Sequence, residues 1–214
     1  MSWKWRCRLL VGVLVVAAGM GGTGCNPLTL PFYLIYPATG SKKYAEFELV
    51  PRHEGEPVKV MVLVSYPGYV PPEFIGAERT LGTMFLQELK RSGEANKQKI
   101  KILPLAEIEK YKREHPNWKT EHPLDIGLHF GADYVIDLEI THLSMYEPGS
   151  PHLYKGRADV SVKAYDAIRQ LREPVFQTEY TRNYPRTRPE DVSDTPPSKF
   201  RLNFLKALAL ELSW

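Results

Sequence analysis

The sequence predicts a mixed α/β (α+β) fold: one mixed sheet of about five strands in the order β-α-β-α-β-β-β-α, with helices packed on the sheet. Three observations point there. Val58 to Ser65 (VKVMVLVS) is almost continuously apolar, as expected of a strand buried on both faces. Ala77, Leu81, Met84, Phe85 and Leu89 then recur at helical spacing. Further on, three segments alternate apolar and polar residues, the pattern of an antiparallel meander.

Taken in order, the first strand runs into the rigid loop Tyr66-Pro67-Gly68-Tyr69-Val70-Pro71-Pro72, and a helix from about 76 to 92 follows, with Ser92-Gly93 as its stop signal. Lys99 to Leu103 is a short strand. Pro104 opens a second helix, which must end before Pro116 because the residue preceding a proline disfavours helical geometry. Pro123 to Phe130 reads as a short helix closing at Gly131. Asp133 to Leu143 places Tyr134, Ile136, Leu138 and Ile140 on one face and Asp137, Glu139 and Thr141 on the other, a half-exposed strand. Leu153 to Asp166 repeats this, with Ala158, Val160, Val162 and Ala164 inward. Val175 to Tyr184 returns as a third antiparallel strand, and Pro185 to Pro197 is a polar loop. Ser198 is expected to cap a last helix whose stripe Phe200, Phe204, Leu205, Leu208 and Leu212 makes it core. The first crossover should join parallel strands.

Charge and cysteine usage narrow the function. The chain has 28 Lys and Arg against 25 Asp and Glu, but three of the cations, Lys4, Arg6 and Arg8, lie in a start that holds no acid. Removing those three leaves 25 against 25, so the bulk of the chain has no electrostatic bias towards a polyanion, and nucleic acid is not an expected partner. After the basic start comes Leu9 to Met20, an uncharged apolar run of 12 residues, shorter than the roughly 20 a spanning helix needs. Gly21-Gly22-Thr23-Gly24-Cys25 follows. A basic start, a short apolar run and small residues before a cut describe a secretory signal. The end of this stretch resembles the lipobox of bacterial lipoproteins, whose cysteine is lipidated and becomes the new N-terminus; cleavage by an ordinary signal peptidase is the alternative. The organisation expected is a signal over 1–24, a lipidated tether with an edge-strand candidate (Tyr44 to Val50) over 25–57, and a mixed αβ domain over 58–214. Phe32 to Tyr36 in the tether is suited to the headgroup layer or to a short strand on the domain. With Cys7 discarded and Cys25 lipidated, no thiol remains for a disulfide or a catalytic nucleophile.

The run from Lys59 to Asp166 resembles the domain shared by the N-terminal part of TolB and the CsgG-type envelope lipoproteins. The pieces that carry this are VKVMVLV, the amphipathic helix near Gly93, Leu105-Ala106-Glu107-Ile108, Gly131-Ala132-Asp133-Tyr134-Val135-Ile136, and Val160 to Ala167 (VSVKAYDA). The resemblance implies an envelope protein that works through protein–protein contacts, and it transfers no catalytic residue.

Catalytic and metal signals are weak. Gly19 to Gly24 fits G-x-G-x-x-G, yet Pro27 and Pro31 follow where a helix is needed. His115, His122 and His129 recur every seven residues, but Pro116 and Pro123 break the helix that would align them, so no metal site is expected. Asp137 and Glu139 read as a solvated strand face rather than a catalytic pair. Arg182, Arg186 and Arg188, interleaved with Tyr180 and Tyr184, are the candidate contact surface. No cofactor is expected. The reading is a non-catalytic, exported envelope lipoprotein, anchored in the outer membrane facing the periplasm and serving as an accessory or scaffold subunit for other envelope proteins. The alternative is a periplasmic lipoprotein that binds a lipid or cell-wall ligand.

Overall fold

The computed structural model describes residues 49–213. Cys25, the signal, and most of the tether, including Tyr44 to Glu48 of the edge-strand candidate, lie outside the described residues.

The elements are strand β1 (Val58–Ser65), helix α1 (Ala77–Ala95), strand β2 (Ile100–Ile102), helix α2 (Leu105–Glu114), helix α3 (Pro123–His129), strands β3 (Tyr134–Glu147), β4 (Ser150–Asp166), β5 (Phe176–Tyr184) and β6 (Glu190–Asp191), and helix α4 (Pro197–Leu212). They form one mixed sheet in the order β2-β1-β3-β4-β5, with β6 paired to β4. Strand β1 runs parallel to both β2 and β3, while β3, β4 and β5 form the antiparallel meander.

Because β1 is apolar on both sides, it joins two cores. Val58, Val60, Val62 and Val64 pack with Leu81 and Phe85 of α1 and with Phe200, Phe204 and Leu208 of α4. Met61 and Leu63 point the other way, against Ile108 of α2, Trp118, and Leu124 and Ile126 of α3. Helices therefore cover both faces of the sheet, and this corrects the half-exposed reading of β3. Its residues Val135 and Asp137 lie under the α2–α3 layer, 0% and 9% exposed.

Four boundaries differ from expectation. Helix α1 passes through Gly93 to Ala95, where a Cβ on Gly93 would sit 2.7 Å from Ile100 Cδ1, so that glycine serves close packing rather than a stop. Helix α4 starts at Pro197 with Pro196 as its N-cap, which leaves Ser198 inside the first turn with no capping bond. Strands β3 and β4 extend to a turn at Pro148-Gly149, past β-bulges at Ile140/His142 and Ser144/Tyr146. The polar loop contains β6, which pairs Asp191 with Leu153 and Glu190 with Tyr154.

The entry to β3 is tightly fixed. Gly131 adopts a positive φ of 64°, a conformation that favours glycine, at the close of α3. Two residues on, the Asp133 carboxylate accepts the Lys59 backbone N–H at 2.8 Å and pairs with Arg52 Nε at 3.3 Å. The Tyr134 hydroxyl is hydrogen-bonded by the backbone of Val50. The chain ahead of β1 is thus tied to the sheet at residues 50 and 52.

Candidate functional site

A cavity of about 220 Å³ opens beside the carboxyl end of β1 and the first half of β3; the carboxyl end of a parallel strand is where open α/β sheets bind ligands. The register of the parallel pair builds it. Leu63 stands opposite Asp137 and Ser65 opposite Glu139, so both carboxylates project from β3 on the side that α3 only partly covers. Strand β4 adds Lys163 and Tyr165, and the segment after α2 adds Trp118, Lys119 and Glu121.

Most of the charges here have partners. Lys163 Nζ donates to Glu139 Oε2 at 3.3 Å. Burial works against the Lys163 ammonium, and the Glu139 hydrogen bond and charge outweigh it, holding its pKa above the ordinary lysine value. Glu121 accepts the Tyr111 hydroxyl at 2.7 Å. Lys119 Nζ donates to the Tyr66 carbonyl at 2.8 Å, and Lys112 Nζ to the Val64 carbonyl at 3.0 Å while lying 4.5 Å over the Trp118 ring. The two lysines thus satisfy carbonyls where β1 leaves the sheet.

Asp137 is the exception. Among the described residues its carboxylate accepts no hydrogen bond and makes no ion pair, although it lines the cavity. Burial pushes its pKa up from 3.8 to about 6, with Lys163 and Lys112 pulling it down and Glu139 pushing it further up. Reading Asp137 as part of a solvated face is therefore corrected: the α2–α3 layer covers that side of β3. Glu139 is partly exposed and spent on Lys163.

The other candidate residues fall in different places. Arg182 and Arg186 both reach Glu211 of α4, Arg182 closely and Arg186 at 3.4 Å. Tyr184 lies 5.5 Å from the Phe200 ring and 6.3 Å from the Phe204 ring, and Tyr180 packs against the same core. Arg188 is exposed on the loop beyond β5. Three of the five thus contact α4 directly. His115 and His129 both lie against the Tyr111 ring, at 4.0 and 5.1 Å. His122 caps α3, its Nδ1 accepting the Leu124 N–H at 3.2 Å. Among the described residues no three His, Cys, Asp or Glu come together as a metal-binding group.

No protein-family model matches the chain, and neither does any curated protein. Solved structures similar to it include bacterial lipoproteins. The PelC dodecamer of Paraburkholderia phytofirmans is 13% identical, with 78% of this chain and 91% of that one covered and a TM-score of 0.43. A lipoprotein of Neisseria meningitidis is 12% identical, with 73% and 99% covered and a TM-score of 0.45. A minor lipoprotein of Acinetobacter baumannii is 10% identical, with 72% and 88% covered and a TM-score of 0.32.

Proposed function

We propose that the chain is an exported lipoprotein of the bacterial cell envelope, a non-catalytic accessory or scaffold subunit that acts through contacts with other envelope proteins. The observation that carries this reading is the order of the first 25 residues: three cations, a 12-residue apolar run, small residues, then Cys25. Lipid on Cys25 holds the chain to the outer membrane, facing the periplasm, and residues up to 57 act as the tether. The folded domain then supplies the contact surface. Arg186 and Arg188 at the end of β5 form its charged part. Tyr69 and Ile75, 80% and 71% exposed in the segment between β1 and α1, add large apolar side chains. The likeness of Gly131 to Ile136 to the TolB and CsgG type supports the same class. Replacing Cys25 by serine tests the anchor. The wild-type chain is expected in the membrane fraction, with an intact mass that begins at a lipidated Cys25. A Cys25→Ser chain that stays membrane-bound, or an unmodified Cys25 in the wild type, refutes it.

One observation favours the second reading, a lipoprotein that binds a lipid or cell-wall ligand: the cavity beside the end of β1 holds a buried carboxylate, Asp137, with no partner among the described residues.

A further inference from the structure

We infer that the cavity beside Asp137 is a binding site for a small organic molecule carrying a primary ammonium group. The inference deepens the second reading above and is independent of the lipid anchor.

Charge complementarity comes first. Five charged side chains line the cavity: Lys119 and Lys163 against Glu121, Asp137 and Glu139, one net negative charge when all are ionised. Lys163 is paired with Glu139, Lys119 is held by the Tyr66 carbonyl and Glu78, and Glu121 accepts from Tyr111. Asp137 is therefore the lining charge left without a direct partner among the described residues, with Lys163 and Lys112 acting on it only at longer range.

Burial makes this more than an acidic patch. Asp137 is 9% exposed and has no partner among the described residues, and a carboxylate in such a place is costly unless it is hydrogen-bonded or neutralised. A carboxylate only accepts hydrogen bonds, so the missing partner must be a donor. A primary ammonium supplies three donors and the compensating charge, giving a short charge-assisted bond. A neutral hydroxyl would supply one donor and leave the charge.

Size and walls set the rest of the ligand. A cavity of about 220 Å³ is smaller than the ~300–1,000 Å³ of drug-sized sites, which restricts it to a compact amine. Leu63, Ile126 and Tyr165 give it apolar walls, and an aromatic ring such as that of Tyr165 tolerates a cation close by. In an envelope this chemistry has two sources, the ethanolamine headgroup of a lipid and the free amine of a de-acetylated cell-wall sugar.

Isothermal titration of the full chain in mild detergent tests the inference. The probes are ethanolamine and glucosamine, with ethylene glycol and N-acetylglucosamine as counterparts that lack the ammonium. Saturable binding of at least one amine is expected, with no binding of its neutral counterpart, and the tighter amine identifies the source. Asp137→Asn should weaken that binding about tenfold or more, the loss of a charge-assisted pair. Glu139→Gln, at a more exposed position, should weaken it as well, by freeing Lys163 to neutralise Asp137; it serves if the Asn variant does not fold. Equal binding of amine and neutral counterpart overturns the inference. So does unchanged affinity in the folded Asp137→Asn variant, or in Glu139→Gln where that variant stands in, or the absence of any amine binding up to about 50 mM, where weak non-specific association begins. None of these outcomes depends on where the chain is anchored.

Discussion

Gly156 of β4 lies directly beneath the ring of Phe204 of α4: a Cβ built on it would stand 2.8 Å from Phe204 Cγ. The absent side chain lets the helix settle onto the meander, where Phe204 also meets Phe74 edge-on at 6.1 Å. Gly156→Ala should therefore overpack the contact and cost about 1–3 kcal/mol. Phe204→Ala, which opens a cavity instead, should cost about 3–5 kcal/mol. Chemical denaturation of the two variants checks both values, and an unshifted Gly156→Ala midpoint would contradict the packing.

Glu211 gathers Arg182 and Arg186 at the other end of α4. The Arg182 side chain is 13% exposed, and its Nε has no acceptor, so Glu211 is the one carboxylate that compensates it among the described residues. Glu211→Ala should cost about 1–3 kcal/mol, because the arginine stays buried without its partner. Arg186→Ala should cost less than about 0.5 kcal/mol, as befits a 72% exposed side chain. Thermal melts of the pair separate the two arginines.

Asp137 gives a pH dependence of definite sign. Its pKa rises from 3.8 to about 6 on folding, so between those values the folded chain holds a proton that the unfolded chain has released. Raising the pH through that window therefore weakens the fold, and above about 6 the penalty is constant. Asp137→Asn carries no such penalty. Its stability relative to wild type should climb across that window and reach about 2–3 kcal/mol near neutral pH, at ~1.4 kcal/mol per pKa unit. Urea midpoints at about pH 4 and pH 7.5 provide the measurement, and a pH-independent difference would contradict the burial. The same variant is expected to lose ligand, so stability and binding should move in opposite directions.

The chain before β1 is predicted to be dispensable for folding. Arg52 is half exposed, and Asp133 keeps the Lys59 N–H without it. Arg52→Ala should cost under about 1 kcal/mol. A fragment spanning 58–214 should melt cooperatively; aggregation or a broad transition would show that residues 49–57 belong to the core.

Much of this architecture was legible because its periodicities are clean. The almost continuous apolar run of β1 announced burial on both faces, and the stripe Phe200, Phe204, Leu208 and Leu212 announced a core helix, as found. The hairpin was read short because the bulges after Ile140 and Ser144 interrupt the two-residue alternation. The two residues of β6 are too few to show any period. The site was missed for a different reason. Asp137, Glu139 and Thr141 alternate as a wet face would, and only the tertiary placement of the short, proline-bounded α2–α3 layer buries the first of them. Local pattern reports which residues share a face; it does not report what later covers that face.

The parallel pairing of β1 with β3 also bears on how the chain reaches its native state. The Lys59–Asp133 bond closes a span of 74 residues, whereas β3 and β4 meet across a turn of a few residues. Closing the long loop costs entropy before any contact rewards it, and the hairpin needs almost no such outlay. The meander should thus be the early nucleus, with β1 and β2 docking late on an already formed β3. Substitutions in the β3–β4 hairpin would then slow refolding, while those in β1 would mainly hasten unfolding. Until β1 docks, one edge of β3 stays open to other chains, which makes that interval the protein's window for misassembly.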